Sequence, residues 1–132
     1  MRVFLDTNVL ASAAATRGLC ADMLREVLTS HELIISDLLL EELRRVLQHK
    51  LKAPPALISD FLNLLIQDAI VANPANLPDV KLKDKDDVII LASALTANAD
   101  LLVTGDNELL ALVKVGNLEI VSPRGFWDKL KE

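Results

Sequence analysis

The 132-residue sequence has one cysteine, Cys20, no tyrosine, and only three phenylalanines and one tryptophan. A single cysteine excludes an intrachain disulfide framework and any zinc site built from cysteines. It suits a reducing compartment, so the expected location is the cytoplasm. Cys20 has no clear activating partner nearby and reads as a small buried side chain. Aromatics amount to 3% of the chain, which limits any readout that stacks bases on rings. The uncharged stretch between Asp87 and Asp100 holds twelve residues, short of the roughly 20 needed to cross a bilayer. Met1–Leu5 leads directly into Asp6, so no secretory leader is expected. The two histidines, His31 and His49, are isolated and read as surface residues, His31 at the start of a strand and His49 on a helix. Glycine is scarce. No Gly-x-x-x-x-Gly-Lys or Gly-x-Gly-x-x-Gly loop is present to cradle a nucleotide, and no Gly-x-Ser-x-Gly elbow to carry a nucleophilic serine.

Fourteen basic residues face nineteen acidic ones, a net charge of −5. A protein that coats nucleic acid through phosphate neutralisation is normally basic, so that class is disfavoured. An enzyme whose carboxylates hold metal ions stays open, because the ions supply the missing positive charge. Length argues for one domain over residues 1–132, large enough to form its core without staples. No internal repeat or low-complexity tract divides it.

Short apolar runs alternate with segments of helical period. Strands are expected at 2–6, 32–36, 69–72, 100–104 and 118–121. Helices are expected at about 20–29, 37–52, 57–67, 86–97 and 107–114. A terminal helix from Ser122-Pro123, carrying Phe126 and Trp127, is expected to cap the sheet edge. Ser36 or Asp37 can cap the helix that follows it, and Pro55 suits a first helical turn. This alternation predicts βαβ units and an α/β fold with a mostly parallel sheet covered on both faces. In such sheets ligands bind beyond the carboxyl ends of the strands.

Four acids fall on that rim. Asp6 closes the first strand, Asp106 follows the 100–104 strand, Asp87 opens the apolar 86–97 helix, and Glu42 lies in the second turn after the second strand. Each also has a purely structural reading: Asp6 with Asn8 as a cap or Asx-turn, Asp84, Asp86 and Asp87 as first-turn acids, Asp106 as a turn residue. Together, four converging carboxylates call for a cation, and oxygen ligands suit magnesium or manganese. On a wheel of about 100° per residue, Leu39, Leu43, Val46 and Leu47 mark the buried side; Glu42 sits at its edge and Glu41 nearly opposite. Arg45, His49 and Lys52 continue from Glu42 along one stripe and are one candidate substrate-binding set. The alternative is a solvated face with an Arg45–Glu42 pair. Lys81, Lys83 and Lys85 approach Asp87 from the other side as a second set.

Four segments carry a family resemblance: Leu5-Asp-Thr-Asn-Val-Leu10, Ser36-Asp-Leu-Leu-Leu-Glu-Glu-Leu43, Asp86-Asp-Val-Ile-Ile-Leu-Ala-Ser-Ala94 and Ala99-Asp-Leu-Leu-Val-Thr-Gly-Asp106. In this order and spacing the chain resembles PIN domains, in particular the VapC-type toxins of bacterial and archaeal toxin-antitoxin pairs. The loop Asn73–Lys85 and the terminal helix are similar to another branch of PIN-family toxins. The resemblance implies a Rossmann-like α/β/α sandwich and a metal-dependent endoribonuclease. By position it assigns Asp6, Glu42, Asp87 and Asp106 as the catalytic acids that hold Mg2+ or Mn2+, with Asn8 and Thr104 orienting them. It also implies RNA as substrate, a homodimer and a cognate antitoxin. The competing reading is a catalytically silent PIN-like module that binds RNA or protein.

Overall fold

In the computed structural model the described residues, 1–131, form six strands and seven α-helices. The strands are β1 (Arg2–Leu5), β2 (Glu32–Ile35), β3 (Ile70–Val71), β4 (Leu101–Val103), β5 (Lys114–Val115) and β6 (Leu118–Val121). The helices are α1 (Thr7–Ala15), α2 (Leu19–Ser30), α3 (Asp37–Arg45), α4 (Pro55–Asp68), α5 (Lys85–Thr96), α6 (Asn107–Leu110) and α7 (Pro123–Leu130). One sheet runs in the order β3-β2-β1-β4-β6-β5, parallel throughout except for β5, which pairs antiparallel with β6. Helices flank this sheet, as the α/β alternation predicts.

The central strands are apolar at almost every position because both of their faces are covered. Val3, Phe4, Leu5, Ile34, Ile35, Leu102 and Val103 are all fully buried. Register then fixes the rim: Leu5 pairs with Val103, and the Asp6 N–H donates to the Val103 carbonyl at 2.9 Å. Asp6 and Thr104 therefore emerge side by side. On the neighbouring strand, Ser36 directly follows β2 and its Oγ accepts from the Leu39 N–H at 3.2 Å, capping α3. Leu39 and Leu43, one turn apart, anchor that helix in the core.

Five features differ from the sequence reading. Helix α1 occupies residues left unassigned; its Thr-Asn-Val-Leu-Ala-Ser-Ala-Ala-Ala sequence has no clear polar stripe, yet alanine favours a helix and Asp6 caps it. The expected 37–52 helix stops being α-helical at Arg45 and continues as a π turn over Val46–Lys50. There the Leu51 N–H bonds the Val46 carbonyl at 3.1 Å, and Lys52 ends the turn at a φ of 50°. The 107–114 helix is only α6, followed by the β5–β6 hairpin, whose turn places Gly116 at a φ of 59°. Cys20 is half-buried rather than buried. Finally, α7 packs against α2, with Phe126 fully buried, and so lies against a helix instead of capping the sheet edge.

Candidate active site

Strand β1 lies between β2 and β4, so the chain leaves it toward one side of the sheet and later returns on the other. A crevice opens where the connections diverge, outside the carboxyl ends of the strands. Here it is a cleft of about 360 Å³ lined by six carboxylates: Asp6, Glu42, Asp84, Asp86, Asp87 and Asp106. Thr7, Asn8 and Val46 complete the wall, with two cations, Arg45 and Lys50.

Asp6 is held on both sides. Its Oδ1 accepts from the Thr7 N–H at 2.8 Å, and its Oδ2 accepts from the Thr104 hydroxyl at 2.7 Å. The Thr104 oxygen in turn accepts the Asp106 N–H at 3.0 Å. One buried hydroxyl thus ties together the ends of β1 and β4 and the start of α6. Glu42 reaches the cleft from α3, where its Oε2 accepts from the Thr7 hydroxyl at 3.0 Å. Thr7 therefore orients two acids, one through its backbone and one through its side chain. Asp106 caps α6, with Oδ1 accepting from the Glu108 and Leu109 N–H groups; among the described residues its Oδ2 makes no hydrogen bond. Asp84 caps α5 through the Asp86 N–H.

These acids resist ionising together. Burial is the main cause of a raised pKa at Asp6, opposed by its bonds from Thr104 and Thr7. Burial also raises Glu42, opposed by the Thr7 hydroxyl and reinforced by Asp86 and Asp6. Asp87 is pushed up to about 7, first by burial and then by the charges of Asp106, Asp84, Asp6 and Glu42. A carboxyl that holds its proton more tightly when folded stabilises the fold at low pH, and that contribution disappears as the pH rises. For Asp87 it is complete below pH 3.8 and is lost as the pH climbs to about 7. In EDTA, unfolding free energy should therefore fall across that window, and the fall should be shallower for Asp87→Asn. Urea titrations of both proteins at several pH values measure it; parallel profiles would show that Asp87 is not strained.

The donor set is all oxygen and anionic, which suits a hard divalent cation. Among the described residues no three acid, histidine or cysteine side chains close around one point.

The structure brings Asp6, Glu42, Asp87 and Asp106 to one cleft, with Thr104 buried behind Asp6, while Glu41 points outward to Arg45 at 3.5 Å. Asn8 lines the cleft but is exposed and bonds to none of the acids among the described residues. Thr7 has the orienting role in its place. Of the basic candidates, Arg45 lines the cleft, whereas Lys85, exposed at the start of α5, does not. His49 and Lys52 do not line it either; Lys50 does. Thr7 and Lys50 escaped the sequence reading, and Asp84 and Asp86, read there as first-turn acids, line the cleft as well. Nothing in the sequence announced the π turn that carries Lys50.

A family model described as the PIN domain matches residues 2–108. Among solved structures, a chain of VapBC2 from Rickettsia felis, determined bound to a DNA fragment from its promoter, aligns with a TM-score of 0.64 at 16% identity, covering 92% of this chain and 98% of that one. A chain of VapBC-1 from nontypeable Haemophilus influenzae aligns with a TM-score of 0.63 at 18% identity, covering 94% and 99%. No match was found among curated proteins. With most of the chain inside the family model and the acid cleft at the expected rim, this protein belongs to the PIN-domain family.

Proposed function

We propose that this protein is a divalent-metal-dependent endoribonuclease and serves as the toxin of a toxin-antitoxin pair. The observation that carries the nuclease reading is the carboxylate cleft at the junction of β1 and β4, where threonine hydroxyls hold Asp6 and Glu42 in place. Membership of the PIN family and the fold shared with VapBC proteins support it. Asp6, Glu42, Asp87 and Asp106 are the residues that would hold Mg2+ or Mn2+. A bound ion of this kind acidifies a water for attack on a phosphodiester and neutralises charge on the leaving oxygen.

The chain's own residues prepare that chemistry. Thr104 and the Thr7 N–H fix the two oxygens of Asp6, so the carboxylate does not rotate away from the cleft. Such supporting bonds typically contribute 10–100-fold in metal affinity or activity, on the order of one to three kcal/mol. Thr7 fixes one oxygen of Glu42. The raised pKa values at Asp6, Glu42 and Asp87 mean that these groups gain most from a cation. Among the described residues no helix is long and apolar enough to cross a membrane. The partners that follow from this reading are RNA, an antitoxin and a second copy of the chain.

The test is a pool of short single-stranded RNAs of random sequence, incubated with the protein in Mg2+, in Mn2+ and in EDTA. Internal cleavage with either ion and none in EDTA is expected. Intact RNA under every condition would overturn the nuclease reading and favour a silent binding module. For the toxin role, induced expression should arrest growth, and co-expression of a small neighbouring gene should relieve it.

A further inference from the structure

We propose that the π turn at Val46–Lys50 builds a phosphate-binding pair, Arg45 and Lys50, on one wall of the acidic cleft, and that this pair holds an RNA phosphodiester flanking the one that is cleaved. The inference rests on the nuclease reading and adds a substrate contact to it. In an α-helix residues four apart share a side, which would align Arg45 with His49. In a π turn the bonds join residues five apart, as the Leu51-to-Val46 bond does here. Arg45 and Lys50 are separated by five positions, and both line the cleft while His49 does not. The turn therefore sets Lys50 where a continuous helix would have set an imidazole.

Both cations are available. Lys50 forms no ion pair among the described residues, although six carboxylates line the same cleft. Arg45 pairs with Glu41 on the solvent side at 3.5 Å, with both side chains more than half exposed. An exposed pair of this kind is held only weakly, and a phosphate offers the guanidinium a stronger, two-pronged partner. A chain of net charge −5 with an acidic cleft repels an RNA backbone, so a local cation pair at the rim is what admits the strand. The π turn itself has a reason to persist: such turns are rare and tend to mark functional sites.

The experiment is steady-state cleavage of the RNA pool in Mg2+ over a series of KCl concentrations. Lys50→Gln should raise KM about tenfold with kcat little changed, as expected for a lost charged contact. Its dependence of log KM on log salt should be shallower by about 0.7, the value for one phosphate contact on a single strand. His49→Gln should match the parent. The double variant Lys50→Gln/His49→Lys keeps the net charge but moves the cation one position, and it should remain as impaired as Lys50→Gln. An unchanged KM and salt slope in Lys50→Gln, or full rescue by the relocated lysine, would overturn the phosphate pair while leaving the nuclease reading intact. A parent protein that cleaves nothing in either ion would overturn both.

Discussion

Asp6→Asn should reduce RNA cleavage at least about a hundredfold while leaving the fold intact. Loss of a supporting bond near a metal costs about 10–100-fold, and Asp6 is the group those bonds serve. It is the most buried acid of the cleft, 8% exposed, at the end of β1. Asparagine keeps the shape. Its carbonyl oxygen still accepts from the Thr7 N–H, and its amide can donate to the Thr104 oxygen in place of the bond that Thr104 now donates. The charge alone is removed. Because burial raises the pKa of Asp6, its ionised form strains the metal-free fold at neutral pH, and the variant should melt higher than the parent in EDTA. Cleavage assays and thermal melts run on the same preparation check both halves. Full activity in the variant would make Asp6 only the cap of α1 and would remove the centre from the proposed site.

That combination, lower activity with higher metal-free stability, separates a functional acid from a structural one. A capping aspartate stabilises the folded chain and its loss costs about 1 kcal/mol. Asp6 caps α1 as well as lining the cleft, so the two contributions compete. Asparagine is an equally good cap, which is why it, and not alanine, isolates the charge.

The strands and the rim were legible because burial on both faces leaves an unmistakable sequence. Leu101-Leu-Val and Val3-Phe-Leu are continuous apolar runs, and an aspartate directly after such a run has to emerge at the strand's carboxyl end. Elements whose character depends on tertiary packing were not legible. Helix α1 has Thr7, Val9, Leu10 and Ala11 buried together, so it shows no stripe for periodicity to find. The π turn leaves no trace because Val46-Leu-Gln-His-Lys50 is an acceptable α-helical sequence. The five-residue bonding is visible only in the folded backbone, where the Leu51 N–H meets the Val46 carbonyl. That one shift invalidated the Arg45-His49-Lys52 stripe beyond its first member. The acids before the shift, Glu41 and Glu42, kept the positions the wheel assigned to them.

Those two adjacent acids should therefore respond in opposite ways to the same substitution. Glu42 is half-buried, bonded to Thr7 and faced by Asp86 and Asp6. The Glu41 side chain is 69% exposed and pairs with Arg45 on the outer side of α3. With a divalent ion at a hundredfold excess over its dissociation constant, the parent should gain about 2.7 kcal/mol of stability. If Glu42→Gln weakens binding tenfold, the same ion concentration should give only about 1.4 kcal/mol, and cleavage should fall in parallel. In EDTA, Glu42→Gln should be at least as stable as the parent, since glutamine keeps an acceptor for Thr7 and removes a repelling charge. Glu41→Gln should alter stability by no more than about 0.5 kcal/mol, the range for exposed sites, and its metal response and cleavage should match the parent. Melts with and without Mg2+ and Mn2+, paired with RNA cleavage, distinguish the outcomes. Equal losses in both variants would mean that charge near the cleft matters only in bulk; a loss confined to Glu41→Gln would place the metal on the other side of α3.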